Sequence, residues 1–377
     1  MNPVDLILFV IMMVFLVQVV ANRMSIREPT VAIPKDFLPT VSVIIPARNE
    51  ARTIGACVKS ILAQSFDKFE IIVVDDGSTD NTAQVVSDIA LTEPSVTLIR
   101  GRELPPHWFG KPYAQYEALK NAKGKYLLFL DADVILTRRA LAMLLAAATQ
   151  RGAGIVSMLP ALSTDSFWEN LVTPFIYFHL YLLFPAYAMN WPWEPLVAHA
   201  HNRCFLLERE MYKRIGGHSK ASETIREAQV MAREVKAKGG KIGLLSGESL
   251  CRVRPYGPPP NLWDGLIRHH VSTASRSAML SISFAAISFV LFVLPWLQLV
   301  SYLMGDVHTL FGVMVPIANV LLGAVMYLTA TGRYGLTLGR ALLVPLAALA
   351  WIVTIFRAIG KVSGTGTIQW KGRTVKP

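Results

Sequence analysis

The chain has 377 residues, 53% of them hydrophobic and 17% charged, with a formal net charge of +11. That length holds one large domain plus membrane segments, and apolar runs at both ends argue against a purely soluble chain. Three cysteines, Cys57, Cys204 and Cys251, are odd in number, far apart and without a CxxC pair, which excludes a disulfide framework or a zinc site and leaves buried thiols.

The first element is the run Leu6–Ala21, with Arg23, Arg27 and Lys35 behind it. A secretory leader carries its positive charge ahead of the apolar stretch, so an uncleaved anchor of about one bilayer span is expected. From 36 onward short β-branched runs alternate with helix-length stretches. The expected strands are Val41–Ile45, Glu70–Val74, Val96–Ile99, Tyr126–Leu130 and Gly154–Met158. The expected helices between them are Thr53–Gln64, Asn81–Leu91, Pro112–Asn121 and Arg138–Thr149. This alternation predicts an α/β fold with a mostly parallel, Rossmann-like sheet, and near-continuous apolar strands suit burial on both faces.

Further along, Leu171–Met189 is aromatic-rich and holds Pro174, Pro185 and His179. It reads either as an interfacial helix or as an ordinary core helix. A juxtamembrane amphipathic segment is expected over 256–279, three spans over about Leu280–Met304, Val307–Ala330 and Leu336–Phe356, and a basic tail over 361–377. Pro295, Pro316 and Pro345 inside those runs are tolerated by spanning helices. Arg252, Arg254, Arg268 and Arg276 precede the second span, as Arg23, Arg27 and Lys35 follow the first. Basic residues beside spans mark the cytoplasmic side, which explains the charge without nucleic acid and places the 36–255 domain in the cytoplasm, against anionic membrane lipids. The tail conflicts with this: three spans put it outside, yet it carries Arg357, Lys361, Lys371, Arg373 and Lys376. Either one run is re-entrant or the charge rule fails there.

In open α/β sheets ligands bind at the carboxyl ends of the strands. There the sequence places Pro46-Ala47-Arg48-Asn49-Glu50, Asp75-Asp76-Gly77-Ser78-Thr79-Asp80 and Asp131-Ala132-Asp133. Asp131 and Asp133, two apart on an extended segment, face the same way and repel unless a cation lies between them. A hard divalent ion, Mg²⁺ or Mn²⁺, bridging to phosphate answers that need. Asp75 and Asp76 serve equally as turn and cap residues or as acceptors for a base or ribose. Lys111, at a helix start, suits a diphosphate, or is simply solvated.

Taken together, PARNE, VVDDGSTD, the Gly110-Lys111 step before a helix and DADV, in this order, resemble glycosyltransferase family 2, whose catalytic domain has the GT-A fold. The likeness covers about 40–245. The flanking anchors, LPPHWFGKPYA and the tail Trp370-Lys371-Gly372-Arg373 are similar to the hopanoid-associated and carotenoid-glycosyltransferase-like branch, and so to bacterial inner-membrane proteins. The resemblance implies an inverting, metal-dependent transfer from a nucleotide-sugar, a UDP-sugar, to a lipid or other hydrophobic acceptor. It implies that Asp76 contacts the base, framed by Asp75, Pro46, Ala47 and Glu50. Lys111 would hold the diphosphate, Asp131 the ribose or metal, and Asp133 the metal. Apart from the resemblance, Trp370 and Arg373 either fold over the phosphates, if the tail is cytoplasmic, or belong to a basic tail on lipid headgroups.

One departure stands out. The family's acidic pair before a helix follows an IGGH-like segment, here Ile215–His218. Glu227 matches the pair's first member, but Ala228 stands where the second, the general-base Asp, belongs. Glu227 is then the first candidate base and Glu223 the second, or a phosphate-type acceptor needs none. His218 is a candidate for the acceptor site, and His269 and His270 for lipid headgroups. A non-catalytic nucleotide-sugar scaffold is the main alternative. A processive polysaccharide synthase is a lesser one, for lack of QxxRW before the spans.

Overall fold

The structure is a computed structural model. It describes residues 3–29, 39–194, 196–254, 261–305, 310–331, 338–364, 368–370 and 373–375. Lys35, Lys371 and Lys376 lie outside the described residues, as do the side chains of Trp370 and Arg373. The chain forms two compact units: 26–163 with 188–254, and 1–25 with 164–187 and 255–377. The expected domain 36–255 is therefore interrupted, and 164–187 group with the apolar helices.

The α/β unit is built on eight strands: β1 Val41–Ala47, β2 Phe69–Asp75, β3 Val96–Arg100, β4 Tyr126–Leu130, β5 Val134–Leu136, β6 Ala153–Leu162, β7 Cys204–Glu208 and β8 Lys241–Val253. Their order across the sheet is β3-β2-β1-β4-β7-β6-β8-β5. β1 pairs in parallel with both β2 and β4, and β2 with β3, so this half is the expected parallel sheet. β7 runs antiparallel between β4 and β6, and β5 runs antiparallel to β8. β1 and β4 are buried almost throughout because helices cover both faces. One face packs Val43, Ile45, Val73, Leu128 and Leu130 against Ile54, Val58 and Leu144 of the covering helices. Cys57, Cys204 and Cys251 are free and buried, as the sequence led us to expect.

The order β2-β1-β4 decides where the chemistry sits. Three adjacent parallel strands end together, so the loops after them share one edge. Two strand spacings put the β2 and β4 ends roughly 10 Å apart.

In the second unit, four helices among the described residues are long and apolar enough to cross a membrane: Pro3–Ser25, Ala278–Met304, Gly312–Thr331 and Val344–Gly364. The stretch 171–189 is not one interfacial helix. It breaks at Thr173-Pro174, and the helix Phe175–Leu183 is a core element, with Phe175, Phe178, Tyr181 and Leu182 buried. Asn22 of the first helix secures it, donating to the carbonyls of Tyr181 and Phe184 at 2.7 and 2.6 Å and accepting from the Ala186 N–H. The aromatic richness thus reflects packing. His270 is buried edge-on against the Trp351 ring, 4.3 Å between centroids, and does not face headgroups as expected.

Candidate active site

The loops after β1 and β2 are stitched together before any ligand is considered. The Asp76 N–H donates to the Ala47 carbonyl at 2.8 Å, and the Arg48 guanidinium donates to the Asp76 carbonyl. Asn49, held at φ 54°, accepts from the Thr79 N–H at 2.8 Å, while its own N–H reaches Ser78 Oγ. Asp80 Oδ1 accepts from the Thr82 N–H at the start of the next helix, and its other oxygen accepts from the Ala51 N–H. The candidate nucleotide residues divide accordingly. Asp75 Oδ1 closes the turn by accepting from the Ser78 N–H at 3.1 Å, which makes it a turn residue. Ala47 is buried and serves through its carbonyl. Glu50 accepts from Thr53 Oγ1 at 2.9 Å, and Pro46 lies beside them in β1. Asp76 is buried at the head of this assembly, directly beyond β2.

After β4 the DxD motif meets a residue the sequence reading passed over. Leu130 pairs with Cys204, and one step on the Asp131 N–H donates to the Arg203 carbonyl at 2.9 Å. This register carries the Arg203 side chain to the motif. Its Nη1 lies 2.7 Å from Asp133 Oδ2 and 3.9 Å from Asp131 Oδ2. Lys111, second residue of the helix Gly110–Ala118, takes the other side, 2.6 Å from Asp131 Oδ1. Both carboxylates of the motif thus already face protein cations, all about one-fifth exposed. Asp133 Oδ1 is buried and accepts no hydrogen bond from any described residue. An acceptor oxygen of this kind, desolvated and bare, costs free energy unless a cation or donor meets it.

Lys111 is fully committed. Besides Asp131 it lies 2.7 Å from Glu227 Oε1 and donates to the Asn202 carbonyl at 3.2 Å, so two carboxylates and a carbonyl surround it. Burial alone pulls the ammonium down, but the charges of Asp131 and Glu227 outweigh it and hold the pKa above the ordinary lysine value. Glu227 opens the helix Glu227–Ala237 and is completely buried. Burial pushes its carboxyl up, and Lys111 offsets only part of that. Next to it, Ala228 is also fully buried, and its N–H donates to Asn202 Oδ1 at 3.0 Å. Glu223 is exposed and sits 2.7 Å from His107 Nδ1.

His218 does not line an open acceptor site. Gly216 and Gly217, at φ 80° and 49°, fold the chain back beneath Tyr212, where a Cβ on Gly217 would stand 2.2 Å from the ring. The turn buries His218 completely. Its Nδ1 accepts from the Tyr212 hydroxyl at 2.7 Å, and its Nε2–H donates to Gln115 Oε1 at 2.8 Å. Burial first, then the Lys111 charge, lowers its pKa to about 3, so the ring is neutral. Gln115 lies one turn after Lys111, so this cluster supports the helix that presents the lysine.

Residues 42–216 match the family model described as Glycosyl transferase family 2. That segment is a glycosyltransferase family 2 domain. The chain is 28% identical over 223 residues to the 4,4'-diaponeurosporenoate glycosyltransferase of Staphylococcus aureus (strain USA300), covering 57% of the chain and 56% of that relative. The match therefore spans little more than half the relative's length. Among solved structures, the mannosyltransferase PcManGT from Pyrobaculum calidifontis, in complex with GDP-Man and Mn2+, superposes with a TM-score of 0.56 at 20% identity, over 96% of this chain and 98% of that one. The fold is accordingly GT-A; the DxD motif follows β4, Arg203 precedes β7, and Lys111 reaches them from the helix Gly110–Ala118.

Proposed function

We propose that this chain transfers a sugar, with inversion, from a nucleotide-sugar donor to a lipid or other hydrophobic acceptor at the cytoplasmic face of a membrane. The observation that carries the reading is the bare, buried Asp133 Oδ1 inside a cluster already built from Asp131, Lys111 and Arg203. Such an oxygen fits a hard divalent ion, Mg²⁺ or Mn²⁺. Asp133, with Asp131, would hold that ion, and the diphosphate and water would complete its oxygen ligands; when bound it supplies Lewis-acid offset of charge on the departing nucleoside diphosphate. Asp76, beyond β2 and one strand removed from the motif, would accept from the base of the nucleotide, UDP in our reading. Pro46 and Glu50 frame that side. Lys111 anchors Asp131 in position and neutralises the negative charge gathered there.

The acceptor class is argued from two sides. Four helices of membrane length accompany the catalytic unit, and Arg23, Arg27, Arg252 and Arg254 flank them on the side assigned to the cytoplasm. The staphylococcal relative is named for 4,4'-diaponeurosporenoate, a carboxylate by its ending. Glu227 remains the first candidate base, reached only if Lys111 lets it go, and Glu223 the second. An acceptor ionised at neutral pH requires neither.

The test is transfer from a panel of labelled nucleotide-sugars to a membrane lipid extract by the detergent-purified chain with Mn²⁺, the products read by mass spectrometry. We expect a glycolipid product and its loss in Asp133→Asn. Nucleotide binding with no sugar transferred or released would favour the scaffold reading, which Ala228 supports, over the enzyme.

A further inference from the structure

We propose that Arg203 is a resident counter-cation of the DxD motif, which keeps the divalent ion out until a nucleotide diphosphate arrives and then turns its guanidinium onto that diphosphate. The inference rests on the donor reading above and deepens it. Within the cluster, Asp131, Asp133 and Glu227 face Lys111 and Arg203, an excess of one negative charge. A divalent ion entering alone would leave an excess of one positive charge in a partly buried site. A divalent ion entering with a diphosphate of two negative charges restores the original balance. The resident arginine therefore makes metal and nucleotide bind as a pair, by mutual linkage.

Geometry assigns this to Arg203 and not to Lys111. Lys111 sits between two carboxylates and a carbonyl, and one of those carboxylates is fully buried, so moving it would strand Glu227. Arg203 holds Asp133 through Nη1, is about one-fifth exposed, and has its backbone fixed by the Asp131 N–H bond to its carbonyl. Only its side chain needs to move. A planar guanidinium with five donors matches two phosphate oxygens as well as it matches a carboxylate. The oxygen it occupies, Asp133 Oδ2, belongs to the same carboxylate whose Oδ1 is bare, so the arginine and the ion compete for one group.

The test is Mn²⁺ binding by the full-length detergent-solubilised protein, read from the free-ion EPR signal, with and without UDP or GDP. For the wild type we expect weak binding of Mn²⁺ alone and a strong gain when nucleotide is present. Arg203→Gln should bind Mn²⁺ alone roughly tenfold tighter, because one positive charge has left the site, and should lose most of the nucleotide-dependent gain. Arg203→Lys keeps the charge without the fork. It should therefore keep weak binding of the bare ion while losing nucleotide affinity several-fold, and it serves if the glutamine variant does not fold. Unchanged Mn²⁺ affinity and unchanged nucleotide gain in Arg203→Gln would overturn the role of Arg203 while leaving the donor site standing. A wild type that binds neither Mn²⁺ nor nucleotide would instead remove the donor reading, and this inference with it.

Discussion

Replacing Lys111 by methionine isolates the electrostatics of the site from its catalysis. Glu227 is completely buried, and Lys111 is the cation that meets it among the described residues. Removing the ammonium leaves a carboxylate that must either stay charged in the interior or take up a proton. The second route bounds the cost. From an ordinary value of 4.5, protonation at pH 7 costs about 3 kcal/mol, at about 1.4 kcal/mol per pH unit. Losing the contacts to Asp131 and to the Asn202 carbonyl adds about 1 kcal/mol, because Asp131 can turn to water. The total, about 4 kcal/mol, agrees with the usual cost of breaking a buried pair by removing one partner. The pH dependence is the sharper signature. In Lys111→Met the folded-state pKa of Glu227 lies above the unfolded value, so the folded state holds a proton that the unfolded state lacks. Stability of the variant therefore falls as pH rises above 4.5; wild type, whose Glu227 carboxyl burial already raises, shares part of that slope, so the deficit shrinks as pH falls from 7 toward 5 by at most about 1.4 kcal/mol per unit. Glu227→Gln added to Lys111→Met should recover most of the loss. Denaturant unfolding of the detergent-solubilised protein at pH 5, 6 and 7 measures all three. A deficit that does not vary with pH, or a single variant as stable as wild type, would refute the argument.

The remaining predictions concern the neighbouring groups. Ala228→Asp should not restore a base: the position is fully buried beside Glu227, so a second carboxylate there costs about 2–4 kcal/mol of stability and should leave turnover no higher, as thermal melting and a transfer assay would show. His218, with a folded pKa of about 3 against 6.5 unfolded, remains neutral while the unfolded chain protonates. Its contribution is complete above pH 6.5 and is lost as pH falls toward 3, by about 1.4 kcal/mol per unit; His218→Gln should flatten the stability curve between pH 4 and 6.5 by one proton.

Much of the fold is written locally. Tyr126–Leu130 was readable to the residue because YLLFL is apolar throughout and lies between a Gly-Lys turn and the acidic motif. Val41–Ala47 and Phe69–Asp75 were readable within two residues for the same reason. Cys204–Glu208 was not, since five residues running directly into Arg209-Glu210 give no period to count. Lys241–Val253 is interrupted by Gly243 and Gly247, the first against Val156 and the second against Leu159 and Cys251, so its pattern dissolves into two fragments. Missing the antiparallel strand had a direct consequence at the site. Arg203 reaches Asp133 through the β4–β7 register, and no local signal in His201-Asn202-Arg203 reports that pairing. The carboxylates, by contrast, follow their own strands and were legible from position alone. The burial of His218 was not legible, because two left-handed residues in succession, Gly216 and Gly217, turn the chain inward.

Alanine at 228, where the resemblance places a base, becomes intelligible once burial and charge are considered together. The residue at 228 sits in the interior with its N–H given to Asn202, and the carboxylate before it is tied to Lys111. Neither arrangement leaves a proton acceptor open to an incoming hydroxyl. Glu223 is open, but it is engaged with His107 on the exposed rim. A hydroxyl acceptor would need one of these carboxylates to be released in the transition state, at the cost of an uncompensated buried charge. A carboxylate or phosphate acceptor brings its nucleophilic oxygen already deprotonated, and transfer then needs only positioning and charge offset at the leaving group. The same structure gathers Asp131, Asp133, Lys111 and Arg203, the charges that would serve a diphosphate under the proposed function. Under the proposed function, that asymmetry favours an acidic, apolar acceptor over a neutral alcohol.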